Sequence, residues 1–198
     1  MGWWARSSPA PTSYSARRHR SGGGIGRPIP AARPRAMKTL LLLRHAKSSW
    51  DNSELADFDR PLNGRGRADA PRMGRLLAER DLRPDLIVTS AARRAATTAE
   101  LVALAAGYDG DIQYTRDLYL ADVDTYLELA AGTADDVACL LLIGHNPDLE
   151  ELVALLAGHE ERLPTAALAH FRLKLDHWRD LSADTPAELL DLWRPKEL

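Results

Sequence analysis

Apolar positions along the chain fall into short separate runs whose spacing changes from one run to the next. Residues 38–43 make a short apolar run, the pattern of a strand buried on both faces. The polar stretch 44–62 predicts a loop. Asn63 is placed to cap a helix that ends with Arg75-Leu76-Leu77-Ala78-Glu79-Arg80. Pro71 lies inside that pattern and predicts a kink or a split. Leu-Ile-Val within 85–89 predicts a second strand, the alanine-rich 91–106 a helix, and 111–114 an edge strand. A short helix over 123–131 and a buried strand over 137–143 follow. Residues 147–157 predict a helix with Asn146 as its cap and Pro147 in its first turn. Alternation of Ala169, Phe171, Leu173 and Leu175 fits a half-buried strand within 167–175. Residues 185–193 carry two readings. Thr185-Pro186-Ala187-Glu188 has the form of a helix capping box, while the Leu and Trp content also allows a strand.

Strands separated by helices predict an α/β fold, a three-layer α/β/α sandwich around a mostly parallel central sheet. It spans residues 37–198 as a single domain. Residues 1–36 break the pattern. They are rich in Arg, Pro, Ser and Gly, with no apolar periodicity, so a disordered extension is expected there. Arg17-Arg18 lacks the apolar core that an export signal needs after it. A transit peptide is one alternative. The preferred reading is that Met37, which runs directly into the first strand, is the true start.

Composition adds three constraints. Apolar residues make up 45% of the chain, enough for a globular core, but no run approaches the ~18 needed to cross a bilayer. The single cysteine, Cys139, sits in an apolar run and reads as packing, so a reducing, cytoplasmic setting and no internal disulfide are expected. Residues 1–36 hold seven arginines and no acid, which leaves 19 basic against 28 acidic side chains in 37–198. So acidic a body is a poor nucleic-acid binder, because phosphate neutralisation dominates that kind of binding. A local basic cluster within it stands out. A monomer is the default expectation at this size.

In open parallel sheets, ligands bind beyond the carboxyl ends of the strands. After the first predicted strand come Arg44 and His45; after the second, Ser90 and then Arg93-Arg94; after the Cys139 strand, Gly144-His145-Asn146-Pro147. Two histidines and two or three arginines converge on one edge. The guanidinium fork matches phosphoryl oxygens, and an imidazole can act as nucleophile, proton shuttle or donor. The pattern predicts a site for a small dianion. No third ligand stands at metal-binding spacing, so no metal or other cofactor is expected.

Leu43-Arg44-His45-Ala46-Lys47-Ser48-Ser49-Trp50 resembles the opening motif of the histidine phosphatase superfamily, most closely its SixA-type phosphohistidine phosphatases. Asp57-Phe58-Asp59-Arg60-Pro61-Leu62, Thr89-Ser90-Ala91-Ala92-Arg93-Arg94 and Gly144-His145-Asn146-Pro147 follow in the same order. The resemblance implies a phosphoglycerate mutase-like fold and a phosphohistidine intermediate on His45. Arg44, Arg94 and His145 would surround the phosphoryl oxygens. Ser48, Trp50 and Asn146 are further candidates for substrate contact. Departures carry information. Alanine follows the histidine where the larger superfamily usually has glycine. The region 118–124 lacks the glutamate that mutase members use as general acid, leaving Asp122 as the nearest candidate. An alkyl phosphate needs its leaving oxygen protonated, whereas a phosphorylated imidazole can take a proton from solvent. The expected activity is therefore a metal-independent protein phosphohistidine phosphatase acting on a phosphorylated protein side chain. A small-molecule phosphomonoesterase of the same fold, or an idle phosphate-binding module, are the alternatives. His159, His170 and His177 read as structural or surface residues.

Overall fold

The computed structural model describes residues 37–198; the expectations for residues 1–36 lie outside the described residues. Six strands form one sheet: β1 (Lys38–Arg44), β2 (Leu86–Ser90), β3 (Ile112–Thr115), β4 (Cys139–Gly144), β5 (Leu168–Leu173) and β6 (Ala187–Trp193). Their spatial order is β3-β2-β4-β1-β5-β6. The first four run parallel; β5 and β6 are antiparallel additions at one side. Four helices cover the sheet: α1 (Gly64–Glu79), α2 (Arg93–Ala106), α3 (Val123–Ala131) and α4 (Asp148–Ala157).

The layering follows from the two-residue period of a strand. Leu40 and Leu42 of β1 face one way, into a core with Tyr126, Leu127 and Ala130 of α3 and Leu149, Leu152 and Val153 of α4. Leu41 and Leu43 face the other way, against Ala70, Met73 and Leu77 of α1 and Ala95, Ala99 and Val102 of α2. Both cores are apolar, so β1 carries no polar side chain between Leu40 and Leu43, and all four leucines are buried. Burial of each such side chain is worth roughly 1.5–3 kcal/mol. The three-layer sandwich with a mostly parallel sheet is as the sequence pattern predicts.

Two local expectations need correction, and one open alternative is resolved. Helix α1 runs unbroken through Pro71, because packing of the flanking Ala70, Met73 and Leu77 against the sheet outweighs the missing hydrogen bond. Asn63 does cap that helix, accepting from the Gly66 N–H at 2.9 Å. Asn146 does not cap α4: the helix starts one residue later, and the Asn146 amide turns to the Leu163 carbonyl instead. Residues 187–193, where a capping box competed with a strand, form β6, which pairs with β5. Strand pairing satisfies more backbone groups there than a cap could. Among the described residues no helix is long and apolar enough to cross a membrane.

Candidate active site

Parallel register assembles the site. Arg44, the last residue of β1, is paired with Gly144, the last residue of β4, so His45 and His145 leave the sheet side by side. Thr89 is paired with Ile143, which places Ser90 next to Gly144. The chain then enters α2, whose second residue is Arg94. The helix N-terminus adds its positive end to the same edge.

His45 is held from both ring nitrogens. Its Nδ1 lies 2.8 Å from the Ala46 carbonyl, which can only accept, so Nδ1 carries the proton. Nε2 therefore keeps its lone pair, and Arg94 Nε donates to it at 3.3 Å. Ala46 is fixed in turn: its N–H donates to Thr98 Oγ1 at 3.0 Å. Burial, the neighbouring His145, Arg94 and Arg44 push the His45 pKa down to about 3, against a smaller opposite pull from the Ala46 carbonyl. The ring is neutral at any physiological pH.

His145 lies 5.0 Å from His45 between ring centroids. Its Nε2 is 2.9 Å from Ser90 Oγ, and its backbone N–H donates to the Tyr126 hydroxyl at 3.2 Å. Gly144 leaves room for that hydroxyl, because a Cβ there would collide with it. Burial, then Arg94 and Arg44, lower the His145 pKa to about 4, with Asp57 pulling the other way. Arg44 donates through Nη1 to the Leu163 carbonyl at 2.7 Å. Among the described residues, three buried side-chain polar atoms lack a partner: Arg44 Nε, His145 Nδ1 and Asn146 Oδ1. All three belong to the two strand-end motifs. Buried polar atoms are seldom left unpaired unless a ligand or water serves them.

A family model for the histidine phosphatase superfamily (branch 1) matches residues 40–126. An uncharacterised protein of Mycobacterium tuberculosis is 32% identical over 150 residues, which cover 70% of this chain and 91% of that protein. A SixA protein of Agrobacterium tumefaciens, a provisionally assigned phosphohistidine phosphatase, is similar in structure with a TM-score of 0.69 and 33% identity, over 80% of this chain and 98% of its own. The chain belongs to the histidine phosphatase superfamily. One 65-residue segment is also 51% identical to a 2,3-bisphosphoglycerate-dependent phosphoglycerate mutase of Mycobacterium leprae, across 32% of this chain but 26% of the mutase.

Within this superfamily fold, the remaining candidates take different places. Ser48 is buried and its hydroxyl accepts from Arg60 Nη2 at 2.7 Å. Trp50 is 71% exposed and lies under the Arg60 guanidinium, 3.1 Å from ring centroid to carbon. Asn146 shares the Leu163 carbonyl with Arg44. Asp122 is the N-cap of α3, accepting from the backbone N–H and the hydroxyl of Thr125. Those bonds hold its carboxyl below the usual range, the opposite of what a proton donor at neutral pH needs.

Sequence reasoning assigned no individual role to Asp57, Arg60, Tyr119 or Thr98. Asp57 accepts from Arg94 Nη2 at 2.9 Å and from Arg60 Nη1 at 2.8 Å, and its backbone carbonyl takes Arg94 Nη1 at 2.6 Å. The Tyr119 hydroxyl donates at 3.0 Å to the same carboxylate oxygen that Arg94 Nη2 meets, while Arg60 holds the other one. Burial raises the Asp57 pKa, but the bonds from Arg60, Tyr119 and Arg94 outweigh it and keep the carboxylate charged. Tyr119 also sets its ring edge-on to His145 at 5.7 Å and to Phe58 at 5.0 Å. The available signal was the acid-arginine pair inside Asp57-Phe58-Asp59-Arg60. Among the described residues no group of three His, Cys, Asp or Glu side chains is placed to hold a metal ion.

Proposed function

We propose that this chain is a metal-independent protein phosphohistidine phosphatase in which His45 is the nucleophile. The observation that carries the reading is the pair of contacts on the His45 ring: Nδ1 lies against the Ala46 carbonyl, which calls for a proton there, and that leaves the Nε2 lone pair beside Arg94. Nε2 attacks phosphorus in line. The bond from phosphorus to the leaving nitrogen breaks, and that nitrogen takes a proton from solvent. A phosphohistidine remains on Nε2. Water then attacks the same phosphorus, phosphate leaves, and the Nε2 lone pair is restored. Arg44, Arg94 and His145 donate to the equatorial oxygens, where pre-aimed donors are usually the largest contribution to rate.

The leaving group is inferred from the acids around the site. Asp57 is held ionised by two arginines, and Asp122 is tied to Thr125. Neither is poised to protonate an alkoxide. A phosphorylated imidazole does not require it, which favours a P–N bond over an alkyl ester. We place the protein in the cytoplasm as a monomer, with residues 37–198 as its catalytic domain.

The test mixes the full chain with a labelled phosphohistidine protein and with a panel of sugar and nucleotide phosphates, followed by alkaline quench, since phosphohistidine is acid-labile. Label on His45 and turnover of the protein substrate are expected. Absence of label together with full activity in His45→Ala overturns the covalent route. Turnover of the small esters alone overturns the substrate and leaves a phosphomonoesterase. Tight phosphate binding with no turnover of either substrate class would mean an idle binding module.

A further inference from the structure

His145 presents a problem of proton placement. Its pKa is lowered, so it is neutral and carries one proton, which sits on Nδ1 or on Nε2. The two choices give opposite chemistry at the site. With Nδ1–H, the ring offers a donor to a phosphoryl oxygen. With Nε2–H, it presents a lone pair, which repels one.

The contacts of Ser90 decide between them. Ser90 ends β2 and is fully buried. Its Oγ accepts the Ala92 N–H at 3.3 Å and lies 2.9 Å from His145 Nε2. A hydroxyl has one proton to give. If Nε2 were protonated, Oγ would accept from both nitrogens, and its own hydrogen would be left buried without an acceptor. The Nδ1 lone pair would then be buried without a partner as well. If instead Ser90 donates to Nε2, every group on Ser90 is satisfied and Nδ1–H is the single open atom on the ring. That atom has no partner among the described residues. Each buried group left unpaired keeps its full desolvation cost, so the arrangement with fewer of them wins. The Tyr126 hydroxyl holds the His145 backbone N–H, and the Tyr119 ring packs against the imidazole in a T-shaped contact 5.7 Å between centroids.

We propose that Ser90 is a positioning residue that fixes His145 in its Nδ1-protonated form, so that the site holds a neutral N–H donor for an equatorial phosphoryl oxygen. This rests on the reading of the site as a phosphoryl-transfer centre. Ser90 itself does not touch the reacting atoms.

The test is nitrogen NMR of the full chain labelled with ¹⁵N-histidine at neutral pH, with the His145 signals identified by their loss in His145→Gln. In the wild type, Nδ1 is expected to show the protonated signature and Nε2 the unprotonated one. In Ser90→Ala, population moves toward Nε2–H, and kcat for a phosphohistidine protein falls roughly tenfold with KM changed less, short of the loss seen on removing a donor outright. Ser90→Cys, which keeps a weak donor, falls between the two. A protonated Nε2 in the wild type overturns the proposal, as does an unchanged tautomer ratio in Ser90→Ala. The spectra need no turnover, so they stand apart from the outcome of the His45 labelling experiment.

Discussion

Arg94 Nε donates to His45 Nε2 at 3.3 Å, so the guanidinium that would bind the phosphoryl group already rests on the lone pair that would attack it. The other end of the same guanidinium is anchored on Asp57 through Nη1 and Nη2. One planar group therefore links His45 to a carboxylate held by Arg60 and Tyr119. A phosphoryl group arriving there would have only to displace a long hydrogen bond, and the anchor would stay in place.

A lysine cannot make those contacts at once, because it is a point charge and not a fork. Arg94→Lys is expected to lower kcat/KM by about 10²–10³-fold with the fold retained. Steady-state kinetics with circular dichroism as a folding control measure it. A loss below tenfold would show that charge alone suffices at this position.

The depressed pKa values of His45 (about 3) and His145 (about 4) predict an unusual pH profile. Arg44 and Arg94, with Asp57 and Tyr119 close by, face the pair. After correction for substrate ionisation, kcat/KM should be level through the ordinary histidine range and fall only as pH approaches 4. Stability follows the same groups. Between the folded values and the unfolded value near 6.5, the unfolded chain binds more protons, so stability rises with pH across that window and is lost as pH falls through it. An acid limb centred near 6.5 in kcat/KM would contradict the burial of these rings.

Asp122→Ala separates capping from catalysis. The carboxylate caps α3, so its removal should lower Tm while kcat stays at the wild-type level. Thermal unfolding and kinetics on the same preparation check both halves. A large drop in kcat with Tm unchanged would restore Asp122 as a proton donor.

Much of this was legible in the chain. Leu40 to Leu43 fitted a strand covered on both faces, and the residues after it, after Thr89 and after Ile143 had to emerge on one edge once the strands were parallel. Arg44, His45, Arg94 and His145 were therefore visible as a group. Asn146 as a helix cap and the surroundings of Asp122 were not legible, for related reasons. Asn146 stands where a cap belongs, yet the carbonyl of Leu163 comes to it from 17 positions away. Asp122 stands where an acid was wanted, yet it is spent on Thr125.

By itself the sequence determined the layers, the strand ends and the chemistry carried to them, because strand and helix periods and the residues that follow them are local properties. Tertiary structure alone decided which nitrogen of each histidine holds its proton and which carboxylate anchors Arg94. Ala46, Ser90 and Asp57 settle those points through contacts that depend on register and packing. Asp57 and Arg94 are 37 residues apart and Ser90 and His145 are 55 apart, separations over which no sequence period carries information.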